Sequence, residues 1–423
     1  MPATPLREVS ERFGHFYVPR FELSGGGSAL SQSVIRDVIS VTYNDSTTDI
    51  DSIDVTINNW DAELRQFKYV GAETSVAGGS GNQRLFNPNA SEFELKFGYG
   101  SALATIMRGF CTSLEPTFPA GGAPTLTVRL LNVLHRLRTK KHRDHWPNRR
   151  IARGQVKLSR VAQDVGQRRV EGCAFPIPIR INEDAMREEP VLDYLAQDNL
   201  YDIDFLLQEA RKVGYVVYVD LERAANGDTR EVLYFGPSDA AHPGAARVTY
   251  ELKWGISLID FAPKLTTANQ VTSVEVRAWN RATNRAIRER ASLDDAAITV
   301  NRDLFPFVRR AQEGAPPDRC REREETVANT PTFTPPEARR HAARLLNDRL
   351  SQLVEANGTT VGLPDLRAGQ RVHIVDVGER FSGEYFVTKT THTFDDNGYR
   401  TKFTARRERS LASAREPRPA EAP

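Results

Sequence analysis

Only three cysteines, Cys111, Cys173 and Cys320, occur in 423 residues. An odd, widely spaced set argues against a disulfide framework or a thiolate zinc site and suits a reducing compartment. Long apolar runs are missing as well, none approaching the ~18–20 residues of a membrane span, so no membrane insertion is expected. Residues 1–5 lack a basic stretch followed by an apolar one, so no secretory leader is expected. Net charge is close to absent, +2 at pH 7, so any polyanion would have to be held by a local patch. The Gly-x-Ser-x-Gly elbow, the phosphate loop and His-Glu-x-x-His are all lacking. No catalytic, metal or cofactor-binding residue is therefore assigned, and a non-enzymatic protein is expected.

What is present is a globular composition, 39% hydrophobic and 26% charged, in a chain long enough for about two to four domains. Period-two alternation dominates the first part: Ile53, Val55, Ile57; Phe93, Leu95, Phe97; Leu126, Val128, Leu130. Residues 34–43 are rich in β-branched side chains, and 104–115 reads as a strand with Gly109 as a possible bulge. Short, regularly spaced strands predict a β barrel or sandwich over 30–134, preceded by an arm (1–29) and interrupted by a Gly/Ser/Asn-rich loop at 71–89.

Character changes at 135–153, which is strongly basic. Arg138, Lys140, Lys141 and Arg143 stand there against one acid, Asp144. The run reads as a solvated or intersubunit basic surface. Alternatives are a nucleic-acid patch, which would want stacking aromatics beyond Trp146, and a metal pair at His142 and His145, which no carboxylate or thiolate pattern accompanies. Asp49, Asp51 and Asp54 lack the glycine and glutamate of a calcium loop and read as exposed strand-edge acids. A helix over 202–213 has Asp202 and Asp204 at its start and Gly214 after it. A small α+β domain is expected over 135–247. From 248 β character returns, with a charged insertion at 285–333. A second helix at 335–356 opens on Thr334-Pro-Pro-Glu337, a capping-box pattern, and closes on Asn357-Gly358.

The stretch 362–409 organises the rest. It reads Gly-Leu-Pro-Asp-Leu-Arg-Ala-Gly-Gln, a strand, Phe381-Ser-Gly-Glu-Tyr-Phe-Val-Thr, His392, an Asn397-Gly398 hairpin turn and a last strand. Tyr399, Thr401, Phe403 and Ala405 form its packing face; Arg400, Lys402, Thr404 and Arg406 lie opposite. His392 reads as a satisfied structural histidine rather than a pH switch. Residues 410–423 form a Pro/Ala/Glu tail expected to be disordered.

The order of these motifs resembles the phage late control D family, baseplate hub proteins of contractile tails and injection systems, including the hub part of VgrG spike proteins. Tyr201-Asp-Ile-Asp-Phe-Leu-Leu-Gln-Glu-Ala-Arg-Lys-Val-Gly-Tyr, Tyr250-Glu-Leu-Lys-Trp-Gly and Pro336-Glu-Ala-Arg resemble further parts of that family. The resemblance implies a β-rich α+β chain: two tube-protein-like β-barrels (30–134 and 248–409) around the inserted domain, closing as a homotrimeric ring. It implies a hexameric inner tube, a separate trimeric spike and other baseplate components as partners, with nucleic acid present only in transit through the channel. The chain would be made in the cytoplasm and then enter the particle. Pro364, Gly369, Gly383, Tyr385, Gly398, Tyr399 and Phe403 carry the motif. Arg400, Lys402, Arg406 and Arg407 are candidates for the channel or a partner contact. A tail-associated peptidoglycan hydrolase or a nucleic-acid-binding protein is the alternative.

Overall fold

A computed structural model describes residues 18–70, 85–88, 92–170, 173–174, 177–213, 215–223, 229–237, 250–267, 270–280, 283–298, 300–306, 308–309, 323–328 and 334–410. Most of the 71–89 loop, Gly214, Cys320 and the tail beyond 410 lie outside the described residues.

The first part contributes β1 (Pro19–Gly25), β2 (Ser28–Ala29), α1 (Gln32–Asp37), β3 (Val38–Ser46), β4 (Ser52–Asn58), β5 (Glu92–Tyr99), β6 (Ala102–Thr117) and β7 (Thr125–Asn132). Ile53, Val55, Ile57, Phe93, Leu95, Phe97, Leu126, Val128 and Leu130 are all buried, as alternation requires of a sheet with one dry face. Two expectations change. Residues 19–25 are no arm but a strand on β5, with Leu23 buried in the core. Residues 32–37 are helical despite their β-branched content, because burying Val34 decides the matter over local propensity.

The middle part holds β8 (Lys141–Trp146), α2 (Leu158–Val165), β9 (Ile179–Ile181), α3 (Glu183–Glu188), β10 (Leu195–Tyr201), α4 (Asp202–Val213), β11 (Tyr215–Arg223) and β12 (Thr229–Pro237). It has its own core, running from Val133 to Phe235. Then follow β13 (Tyr250–Lys253), β14 (Leu258–Leu265), β15 (Ser273–Asn280), β16 (Arg285–Ser292), β17 (Glu324–Val327), α5 (Pro335–Ser351), β18 (Val354–Val361), β19 (Arg371–Val375), β20 (Gly383–Asp395) and β21 (Gly398–Ser410). The start of the expected insertion is therefore an ordinary hairpin, β15–β16, with α5 packed on it through Ala338, Ala342 and Leu346.

Strands from both ends of the chain join one 13-stranded sheet, in the order β14-β18-β21-β20-β3-β4-β7-β6-β5-β1-β2, with β13 and β19 attached beside β20. The junction is the antiparallel pairing of β20 with β3, from Lys389 opposite Ser46 to Phe394 opposite Val41. Among the described residues this order is open, and no closed barrel forms. The reason lies in β20, which pairs with β21 on one edge and β3 on the other, so the halves bond to each other instead of each closing on itself. A single apolar cluster, from Leu23 to Ala405, fills both halves.

The end of α5 also departs from expectation. Thr334 is its N-cap, but the hydroxyl makes no cap hydrogen bond; two prolines in the first turn start the helix. Asn357 and Gly358 do not end it. They lie inside β18, where a Cβ on Gly358 would come 2.4 Å from the Phe403 ring on β21. Gly362 lies as close under the Tyr399 ring, where an added Cβ would come 2.1 Å from Cδ1. These glycines are there for ring packing, not for a turn. Gly358→Ala should destabilise the fold by ~1–3 kcal/mol through overpacking, read as a lower urea midpoint, and Phe403→Leu in the same background should recover part of it.

Candidate functional site

The motif Leu-Arg-Ala-Gly after β18 places Arg367 at the seam between the two halves. Leu366 and Ala368 are buried on either side of it, and Gly369, at φ +84°, donates its amide to Val387 and turns the chain back to the sheet. The guanidinium therefore reaches into the first half. Its Nε donates to Asp45 of β3 at 2.9 Å, one Nη donates to the Ile106 carbonyl at 3.0 Å, and the other to the Tyr43 hydroxyl. Asp45 also accepts from the Ala368 amide at 2.8 Å and from Thr390 of β20 at 3.3 Å. Asp51, just before β4, accepts from Asn132 at 3.1 Å and stands 3.9 Å from Arg367. One cation thus faces two carboxylates. Burial, then the charge of Asp45, pushes the Asp51 carboxyl well above the usual carboxylate range, and Arg367 offsets only part of this.

His392 belongs to the same seam. Its Nε2 lies 2.9 Å from the Leu366 carbonyl, which can only accept, so Nε2 carries the proton. Nδ1 then accepts from the Tyr399 and Thr401 hydroxyls at 2.9 and 3.1 Å. Burial first, then Arg367, lowers its pKa to about 4. Every ring nitrogen has a partner, as a structural histidine requires.

The motif residues are built into this sheet and into the connection between β18 and β19. Pro364, Gly369, Gly383, Tyr385, Tyr399 and Phe403 are buried, the Tyr385 hydroxyl donates to the Phe381 carbonyl at 2.7 Å, and Gly398 takes φ +94° in the β20–β21 turn. Of the four basic residues on β21, Lys402 is exposed and Arg400 stands 3.6 Å from Asp395. Arg406 lies over the Phe386 ring at 5.0 Å. Arg407 corrects the expectation: it shares the parity of Phe403 and Ala405, is fully buried, and pairs with Asp303 at 2.8 Å. It lines no open surface of this chain.

The basic run is paired with carboxylates in part. Arg138 pairs with Asp204, Arg143 with Asp198 and Arg150 with Asp164, while Lys141 sits over the Tyr201 ring. Lys140 is exposed. His142 and His145 are three apart on strand β8 and so point to opposite faces. His142 meets Asp202 at 3.1 Å and His145 stacks on Tyr194. Asp202 does not cap α4. It is buried in its first turn, where Arg168 bridges it to Gln197 and Asp144. Among the described residues no group of three His, Cys, Asp or Glu side chains could hold a metal ion, and no helix is long and apolar enough to cross a membrane.

Sequence reasoning missed Tyr43, Asp45 and Arg367, and took Asp51 for an exposed acid. The available signal was Arg367 itself, a charge flanked directly by Leu366 and Ala368. Asp54 does pair on the surface, with Arg129 at 2.8 Å.

A second buried carboxyl lies where the middle part meets the sheet. Glu231 of β12 is 9% exposed and faces Glu92 and Glu94 of β5 and Arg108 of β6. Burial, then Glu92, raises its pKa to about 7, against the opposing pull of Arg108. A carboxyl raised in the folded state adds stability below its unfolded value, near 4.3, and loses it as pH rises through about 7. The urea midpoint should therefore fall between pH 5 and pH 8, and Glu231→Gln should flatten that fall.

The fold these elements build is that of phage tail proteins. The 43 kDa tail protein of prophage MuSo2 from Shewanella oneidensis superposes with a TM-score of 0.60 at 13% identity, over 92% of this chain and 98% of that one. A tail protein from Neisseria meningitidis gives 0.59 at 13% identity over 92% and 97%, and prophage tail protein gp18 from Listeria monocytogenes 0.51 at 10% over 93% and 96%. At the level of sequence, the family model described as Alg8 N-terminal domain matches residues 179–396, just over half of the chain, and the protein belongs to that family. No curated protein matches it in sequence.

Proposed function

We propose that this chain is a structural hub of the late control D type in the baseplate of a contractile phage tail or injection system, adapting a hexameric inner tube to a trimeric spike. The observation that carries this reading is the sheet. Strands from both ends of the chain enter one hydrogen-bonded array, locked at the β20–β3 seam, and nearly the whole chain superposes on tail proteins of almost equal extent. In the proposed assembly each chain supplies two β units, one from each half, so three copies offer six units to the tube and a threefold axis to the spike. A closed ring needs complementary heterologous patches and covers sheet edges that would otherwise aggregate. Among the described residues the edge strands of this sheet are β14, β2 and β13, the last paired only with β19. Arg400 and Lys402, on the outer side of β21, are the proposed channel or partner contacts, and Arg138, Lys140, Lys141 and Arg143 a rim surface between subunits.

The test is co-purification with an inner tube protein and a spike protein from the same genome, followed by light scattering and negative-stain imaging. The expected result is a complex with three copies of this chain. A chain that stays monomeric and joins neither partner would sink the proposal. Zymography on peptidoglycan tests the hydrolase alternative, with no clearing expected.

A further inference from the structure

A cleft of about 330 Å³ opens between α5, the segment around Ala297 and Val300, and the end of β21. Its floor is small and apolar, from Ala297, Val300 and Ala343, and three arginines surround it: Arg340 and Arg344 of α5 and Arg406 of β21. None of the three has a carboxylate within salt-bridge distance among the described residues. The contacts of Arg344 and Arg406 are weak substitutes. Arg344 donates an Nη to Nδ1 of His341 at 3.1 Å, a neutral acceptor, and Arg406 lies against Phe386. Among the described residues the Nε atoms of both are buried without a hydrogen-bond partner. Of the two acids at the cleft, Glu408 is held by Arg371 at 3.0 Å, and Asp348 stands exposed on the rim. Buried guanidinium groups without acceptors are costly, and a planar anion is the group that would satisfy them.

We propose that this cleft binds a carboxylate carried on a polypeptide, an acidic side chain of a partner protein, with Arg344 and Arg406 as the receiving guanidinium groups and Arg340 at the entrance. Three features of the cleft select a carboxylate on a peptide over a nucleic acid. No aromatic side chain lines it, so bases have nothing to stack on. Asp348 at the rim repels a continuous phosphate chain. The apolar floor suits the aliphatic stem of a glutamate. The inference is independent of the tail reading, since it asks only about this chain and one kind of ligand.

Saturation-transfer NMR on the full-length protein tests it, with the acetylated amide peptide Ala-Ala-Glu-Ala-Ala as probe. The glutamyl peptide should bind at least about tenfold more tightly than its glutamine counterpart, the fold-change expected for a charge-assisted hydrogen bond. Arg344→Gln should abolish the difference. Arg340→Gln, at an exposed position that folding tolerates, should reduce it, and Arg160→Gln, exposed and outside the cleft, should leave it unchanged. Equal binding of the two peptides, retention of the preference in both cleft variants, or displacement of the peptide by inorganic phosphate at lower concentration than by acetate would overturn the proposal.

Discussion

Arg367→Met will cost the folded protein ~3–5 kcal/mol, the loss typical of removing one partner from a buried ion pair. The stem of Arg367 is only one-fifth exposed (21%), and its carboxylate partner Asp45 is 3% exposed. Methionine fills the space of the stem but supplies no donor. Asp45 then keeps the Ala368 amide and Thr390 hydroxyl but no countercharge, and Asp51 loses the cation that offsets its repulsion by Asp45. The Ile106 carbonyl and Tyr43 hydroxyl lose a donor at the same time. Adding Asp45→Asn should return more than half of the loss, because it removes the uncompensated charge while keeping an acceptor. The single variant should also suffer less in acid, where the stranded carboxylates take up protons. Urea midpoints at pH 5 and pH 7.5 measure all three effects. A loss below about 1 kcal/mol would mean that the pair behaves as an exposed one does, and the seam would then owe little to Arg367.

Trp146→Ala will be comparably severe, ~3–5 kcal/mol, for an unrelated reason. The indole is fully buried in the middle core, lies 5.6 Å from the Phe205 ring in a stacked arrangement and donates its Nε1 to Asp164 at 2.8 Å. Truncation leaves a cavity and takes a donor from a buried carboxylate that retains Asn148 and Arg150. Trp146→Phe should lose much less, since it keeps the stacking and forfeits one hydrogen bond. Because the middle part has a separate apolar core, Trp146→Ala should lower an early transition in far-UV circular dichroism melts, whereas Arg367→Met lowers the transition of the large sheet. Identical displacement of a single transition by both variants would mean that the two cores unfold as one unit.

The buried arginines Arg367 and Arg407 differ from the strand faces in how far a reader of the sequence could have found them. Alternation exposes a packing face wherever each second residue is apolar, so the dry faces of β4, β5 and β7 were readable from Ile53 to Leu130. The stripe Ala338, Ala342, Leu346 and Leu350 likewise marked α5. Arg407 was readable in principle, since its parity places it with Phe403. Its partner Asp303, however, is distant in sequence and nothing local announces it. Asp45 and Asp51 look like any acids at strand ends until Arg367, more than three hundred residues later, is folded against them. Asn357-Gly358 carried a strong local turn signal that was overridden because Phe403 needed the space.

The sequence by itself determined the β-rich α+β character, the two main helices and the inward faces of the strands, because these depend on periodicity within a few residues. Only the tertiary structure decided that β20 pairs with β3, that both halves share one sheet rather than closing as two barrels, and which charges are buried. Those outcomes depend on which distant segments meet, and a side chain's cost or benefit is set by the partners it finds there rather than by its neighbours along the chain.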